Sequence, residues 1–194
     1  MTGTETDRNR CRWANGSELM ARYHDEEWGD PLHDDVKLFE FLLLETMQAG
    51  LSWSTVLNRR EDFRRAFLSF DVHALSELGP SKIDDWMTDQ TIIRNGAKLR
   101  AVITNARAFL RIQSEYGSFD KYQWEFVNGA PLIGGWERES DLPASTDLAV
   151  RFSKDLKRRG FSFIGPTTCY AHMQATGMVN DHVATCWKTA RILE

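Results

Sequence analysis

The apolar positions of this chain fall at helical rather than strand spacing. From Asp34 onward Val36, Phe39, Leu43 and Met47 recur every three or four residues, and Gly50 stands where a helix would stop. Ser52 is placed to cap a second helix, WSTVLNRREDFRRAF, apolar at Val56, Phe63 and Phe67 with arginines between. VHALSELG reads as a short helix ending before Pro80, and Ser81 as the cap of KIDDWMTD. A hinge, QTIIRNGAK, leads into the longer helix KLRAVITNARAFLRIQSEYG, and FDKYQWEFVNG follows as another. After a loop, PLIGGWERESDLP, Ser145 or Thr146 caps DLAVRFSKDLKRRG, which ends at Gly160. GPTTCYAHMQATG and MVNDHVATC complete the set as helices. No segment keeps the two-residue alternation of a sheet, so the pattern predicts an all-α fold. Residues 1–10 read as a disordered lead, 11–186 as one helical domain of two lobes sharing a cleft, and 187–194 as a tail. The stretch CRWANGSELMARYHDEEWGDP, closed by Pro31, reads as a loop rich in aromatic residues.

Composition narrows the class without naming a task. A 194-residue chain that is 42% hydrophobic and 27% charged is expected to be a soluble globular protein. FEFLLLETM is too short and too interrupted to span a bilayer, and the mixed-charge opening MTGTETDRNR does not read as a signal peptide. Three cysteines, an odd number at wide spacing, argue against a secreted disulfide framework and for a reducing, cytoplasmic setting. The net charge of −4 does not advertise a nucleic-acid binder, although its distribution matters more than its sum.

Two places carry candidate chemistry. In NDHVATC, His182 and Cys186 lie four residues apart and would share one helix face. Cys11 and His24, at the other end of the chain, would complete a Cys2His2 set suited to tetrahedral zinc. Spacing alone leaves open the plainer reading, in which the cysteines are small buried residues and His24 lies at the surface. Cys169 and His172 read as core or pocket wall, and His33 and His73 as solvated.

The second place is Glu45, set among Leu42, Leu43, Leu44 and Met47. A carboxylate there must reach water, pair with an arginine at the helix edge, or sit in a pocket with a raised pKa. Glu40 points elsewhere and marks the polar side. Trp13, Tyr23 and Trp28 from the N-terminal stretch, with Trp53 just beyond the helix, are the nearby aromatics. Flat aromatic faces beside one acid suit a planar, electron-poor or cationic ring such as a nucleobase.

CRW, YHDEEWG, LFEFLLLETMQAGLSW, TVLNRREDFRRAF, IIRN, NARAFL, LKRRGFSFIGPTTCYAHMQATGMVNDH and Cys186 occur in an order that resembles the DNA-3-methyladenine glycosylase I family of the helix-hairpin-helix glycosylase superfamily. The resemblance covers nearly everything from Cys11 to Cys186. It implies one structural zinc, held by Cys11, His24, His182 and Cys186, that clips the N- and C-terminal segments together. It implies a base pocket in which Glu45 accepts hydrogen bonds from the adenine edge, Tyr23 adds a polar contact, Trp13 and Trp53 pack around the ring, and Trp28 supports the wall. Leu51 falls where the family pushes a side chain into the gap left by a flipped nucleotide. The hinge matches the hairpin that holds the DNA backbone, with Arg94, Asn95, Gly96 and Lys98 as its contacts. Gly96 departs from the family, which more often has a basic residue there. The aspartate common among helix-hairpin-helix glycosylases is expected to be missing, and KLRAVITNARAFLRIQ contains no carboxylate. The implied activity is hydrolytic excision of 3-methyladenine from alkylated double-stranded DNA by a monomer that does not nick the strand. The alternatives are a glycosylase for other damaged bases, with Met20 and Ala171 shifting preference, and a zinc-stabilised module that binds nucleic acid without cleaving it. Hydrolysis by the zinc itself is disfavoured, because four protein ligands leave no open position for water.

Overall fold

The computed structural model describes residues 8–192. Cys11 leads into a 3-10 turn over Arg12–Gly16, and Ser17 then accepts from the Met20 N–H to start α1 (Glu18–Glu26). This helix stands where the sequence reads as a loop. Its buried face is Met20, Tyr23 and His24, at helical spacing, but a tyrosine and a histidine do not register as an apolar stripe.

Asp34 caps α2 (Asp35–Gln48), in which every residue from Leu38 to Met47 is buried. The helix passes through the core and has no polar side, so both of its acids in that stretch must be accommodated inside the protein. Glu40 is 5% exposed and is held by Arg60 Nε at 2.7 Å and Arg64 Nη2 at 2.8 Å. The expectation that Glu40 marks a polar face is corrected by these arginines, which arrive from the next helical segment.

That segment is two helices, α3 (Trp53–Leu57), capped by Ser52, and α4 (Arg60–Ala66). The expected single helix breaks where Asn58 turns its amide onto the Ser54 carbonyl at 2.7 Å and Arg59 leaves helical geometry. Next come α5 (Val72–Ser76), α6 (Ser81–Thr88), α7 (Gly96–Tyr116) and α8 (Phe119–Glu125). Ser81 begins α6 without capping it; Pro80 occupies the cap position. α6, the turn through residues 89–95 and α7 form a helix-hairpin-helix unit, with Asn95 accepting from the Ala97 and Lys98 N–H groups to start the second helix. α9 (Asp147–Arg158) is capped by Thr146, Pro166 opens α10 (Pro166–Ala175), and α11 (Trp187–Ile192) follows.

α7 packs on α5 and α8, α9 on α10, and α10 on α2, giving an all-α architecture. Its only extended pairing among the described residues is one short parallel contact, Leu132–Ile133 against Val179–Asn180. Val179 and Asn180 therefore lie in extended backbone, and the expected helix over MVNDHVATC is absent. Buried apolar residues form a large cluster around α2, α5, α7, α8, α9 and α10 and a smaller one that includes Cys11, Met20, Tyr23, Trp28 and Cys186. Of the segment expected as a lead, residues 1–7 lie outside the described residues. Asn9 and Arg10 are held in place, Asn9 by the Thr185 carbonyl and Arg10 by Asp25 at 2.7 Å. The segment expected as a tail supplies α11, whose buried Lys188 donates to the Trp28 carbonyl at 3.1 Å.

Candidate active site and metal centre

The smaller cluster is built around Cys11, His24, His182 and Cys186, all buried, whose ligand atoms lie within 4.8 Å of one another. Cys186 Sγ is 3.4 Å from His24 Nε2 and 3.4 Å from His182 Nδ1, and Cys11 Sγ is 3.6 Å from the same Nδ1. Donor atoms around a tetrahedral zinc stand about 3.5 Å apart, a spacing that these three separations match, so the four side chains suit that ion. The shared helix face expected for His182 and Cys186 is not how they meet. A turn does it, with the Cys186 N–H donating to the Val183 carbonyl at 2.8 Å.

Each histidine is oriented from behind. His24 Nδ1 faces Asp25 at 2.8 Å, and Asp25 is itself gripped by Arg10 and by the Trp187 indole N–H at 3.1 Å. His182 Nε2 faces the Trp28 carbonyl at 3.1 Å. Such partners fix which ring nitrogen is presented to the metal. Hydrogen bonding from Cys11, followed by the two histidines, lowers the pKa of the Cys186 thiol, while the same hydrogen bond and burial raise that of Cys11.

The metal cluster backs directly onto an aromatic cavity. Trp28 stands edge-on to His182 with 4.6 Å between ring centroids, and Trp13 packs on His24 at 5.4 Å. The other faces of these rings line a cavity of about 260 Å³ together with Tyr23, Trp53, Glu45 and Gln174. Trp13 and Trp28 lie 5.1 Å apart, as do Tyr23 and Trp53. Glu45 is 5% exposed, and its Oε2 has no hydrogen-bond partner among the described residues. Burial pushes its carboxyl up to about 8. The indole N–H of Trp53 is likewise buried and unpartnered. Of the readings open for Glu45, the arginine pair falls to Glu40 and the pocket position to Glu45. A larger groove of about 590 Å³ also uses Tyr23, but its walls carry Glu27, Glu40, Arg60 and Arg64, which satisfy one another.

The hairpin residues divide. Leu51 is 43% exposed as the last residue of the tight turn 48–51, and at the hairpin Arg94 and Asn95 are exposed as well. Lys98 is not: it is 4% exposed, and its Nζ donates to the carbonyls of Met47 at 2.9 Å and Ala49 at 2.6 Å. Its expected place among the backbone contacts is corrected, because the ammonium caps the C-terminal end of α2. At Gly96 the space a side chain would fill is bordered by the Arg100 guanidinium, 3.4 Å from an ideal Cβ.

The protein family described as methyladenine glycosylase matches residues 13–189. The chain belongs to that family. It is 43% identical over 177 residues to the DNA-3-methyladenine glycosylase of Haemophilus influenzae, covering 91% of this chain and 96% of the relative. It is 44% identical to DNA-3-methyladenine glycosylase 1 of Escherichia coli K12, covering 91% and 95%. A crystal structure of a 3-methyladenine DNA glycosylase I superposes with a TM-score of 0.90 at 42% identity, covering 92% of this chain and 98% of that one. The Staphylococcus aureus 3-methyladenine DNA glycosylase I, whose structure concerns recognition of 3-methyladenine, superposes at 0.89 with 37% identity, covering 93% and 96%.

In this methyladenine glycosylase the structure brings Trp13, Tyr23, Trp28, Glu45 and Trp53 to one cavity, with Met20 and Ala171 on its wall. Sequence reasoning missed Gln48, Leu142 and Gln174 there. Gln48 was within reach, one turn beyond Glu45 on α2. Gln174 is one turn beyond Ala171, with its Nε2 donating to Asp181 at 2.7 Å. Leu142 comes from a loop that carries no periodic signal. Cys169 and His172 are buried core residues. Arg158 and Arg159 of the basic run in α9 are taken up by Asp155 and Glu115.

Proposed function

We propose that this protein is a monofunctional DNA glycosylase that extrudes 3-methyladenine from alkylated duplex DNA and hydrolyses its N-glycosidic bond, leaving an abasic site. The observation that carries the reading is a buried, unpartnered carboxylate facing an aromatic cavity. A purine methylated at N3 is cationic while joined to deoxyribose, and such a ring is drawn both to aromatic faces and to a carboxylate. The cationic ring favours the ionised form of Glu45, which accepts from the exocyclic amine of adenine and repels the carbonyl that guanine presents in the same place. Trp13, Tyr23, Trp28 and Trp53 enclose the ring and exclude water from it.

The chemistry asks little more. As the glycosidic bond breaks, its electron pair returns to the departing base and neutralises it, and the positive charge passes to the sugar. Water then adds to the anomeric carbon and gives up a proton. Binding the leaving group favours that separation. Lys98, the buried amine near the end of α2, donates to two carbonyls, which fits hydrolysis better than attack by an amine. A zinc held by Cys11, His24, His182 and Cys186 would have its four positions filled by protein, which suits a structural role. Leu51, with Arg94, Asn95 and Gly96 at the hairpin, forms the DNA-facing edge in this reading, and Leu51 fills the gap behind the extruded base.

The protein is taken to act as a cytoplasmic monomer, a setting in which its three free cysteines stay reduced. No described helix is long and apolar enough to cross a membrane. The deciding experiment is chromatography of the bases released from methylated duplex DNA. Selective release of 3-methyladenine, with 7-methylguanine retained, is expected. No release by folded, metal-loaded protein would overturn the reading in favour of a binding module, and a borohydride-trapped adduct would overturn the hydrolytic part.

A further inference from the structure

The hairpin and the Leu51 turn are far apart in sequence and mechanically joined in space. Asn95, at the hairpin, accepts from the Lys98 backbone N–H at 3.2 Å. The side chain of the same Lys98 then reaches the carbonyls of Met47 and Ala49. Those carbonyls flank Gln48, whose own carbonyl accepts from the Leu51 N–H at 2.6 Å to close the turn. Gly50 sits in this turn at φ +79°, a left-handed conformation that glycine adopts without steric cost. Gln48 lines the cavity. One ammonium thus connects the start of α7, the end of α2 and the base of the turn that carries an exposed leucine.

We propose that Lys98 is a positioning residue that holds the Leu51 turn in register with the hairpin, so that gripping the DNA backbone and driving Leu51 into the duplex are a single rigid-body event. The burial of Lys98 supports this, since a long cationic side chain is placed inside only where its donors are used. Three α2-terminal carbonyls face the turn; two of them are engaged by the same ammonium, and the third fixes Leu51. Without Lys98 the turn keeps its sequence but loses its tether to α7. Base recognition is then left intact while extrusion becomes inefficient. The inference rests on the proposed base-extruding function.

The test is a double-mutant cycle between Lys98→Met and Leu51→Ala, with Lys98→Arg as the conservative rescue. Extrusion is read as the brightening of 2-aminopurine placed next to an uncleavable 3-deaza-3-methyladenine in the duplex, and the pocket separately by tryptophan quenching with free 3-methyladenine. Lys98→Met is expected to lower extrusion about tenfold or more, the scale set by two hydrogen bonds from a charged donor, with free-base affinity unchanged. It should have no further effect once Leu51 is alanine, and Lys98→Arg should restore part of the loss. Additive effects of the two substitutions would overturn the proposal, because neighbours acting through one element do not add. So would equal losses of free-base binding and extrusion, which would make Lys98 part of the pocket or of general stability. If Lys98→Met does not fold well enough to assay, Lys98→Arg alone decides: changed extrusion at unchanged free-base affinity supports the tether, and parallel loss of both refutes it. A wild-type protein that neither extrudes nor responds to Leu51→Ala would refute the proposed function itself, whereas a response to Leu51→Ala without one to Lys98→Met would refute only the tether.

Discussion

Glu45→Gln keeps the shape of the side chain and removes its charge, which makes the cost of burying that charge measurable. Burial moves the carboxyl from 4.5 to about 8, so between those values the folded protein holds a proton that the unfolded chain has released. The contribution is fully present below the unfolded value and is lost as pH rises through the folded one. The separation between the two values sets the complete loss at about 5 kcal/mol, with about 3 kcal/mol already incurred at neutral pH. Water entering the cavity lowers both figures, so they are upper bounds. The variant has no such proton. Its stability relative to wild type should therefore rise steadily from about pH 5, level off near about pH 9, and favour the variant throughout the upper range. Urea unfolding followed by tryptophan fluorescence at stepped pH gives the difference directly, provided the denaturant slope is the same for both proteins. A difference that stays flat across the range, or one that turns in favour of wild type as pH rises, would refute the reasoning, because it would mean that Glu45 is solvated or paired in the folded state. The same variant should lose 3-methyladenine release, giving a more stable and less active protein.

Other perturbations separate the scaffold from the chemistry. Chelation should remove one zinc per chain and lower the melting temperature together with free-base binding, because Trp13 and Trp28 pack on the ligand histidines; metal analysis beside a thermal melt checks this, and an unchanged melt would count against the clasp. Gly29→Ala would place a Cβ 2.8 Å from His182 Nε2 at a backbone φ of +81°, so it should weaken metal retention and cost about 1–3 kcal/mol, read by zinc loss during dialysis and by denaturant midpoint. Glu40→Ala removes the carboxylate that Arg60 and Arg64 share, leaves Arg60 with Glu27 and Arg64 with Glu61, and should cost about 1–3 kcal/mol. Its base release per folded molecule should be unchanged, since Glu40 stands outside the cavity; a selective loss of activity would argue otherwise. Trp53→Ala should weaken free-base binding, measured by fluorescence titration, more than it lowers stability, because the ring is only half-buried.

What the sequence disclosed and what it hid follow from the kind of signal each residue carries. α2 and α7 were legible because leucines, valines and phenylalanines repeat at helical spacing over many turns. α1 was not, because two of its three buried residues are Tyr23 and His24, which are retained for a cavity and a metal rather than for hydrophobicity. The two acids of α2 look alike in sequence, and only the third dimension shows that Arg60 and Arg64 reach Glu40 and leave Glu45 alone. Lys98 was misplaced for the same reason: a lysine beside a hairpin resembles a phosphate contact until the end of α2 is found beneath it. The four ligands of the metal centre were candidates by residue type and the resemblance decided for them, while the turn that unites His182 with Cys186 has no periodic pattern to betray it.

The clasp also changes how the molecule can come apart. Cys11 and Cys186 meet across most of the chain, and the Trp187 N–H donates to the Asn9 carbonyl at 2.8 Å just outside them. A protein usually loosens from its free ends inward, and proteases find those ends first. Here the described ends are tied to each other and to the wall of the cavity, so fraying from either side is arrested at the ring of ligands. With zinc bound, global opening would require ligand exchange at the metal, so the lifetime of the folded protein would depend on coordination chemistry as well as on the packing of its core.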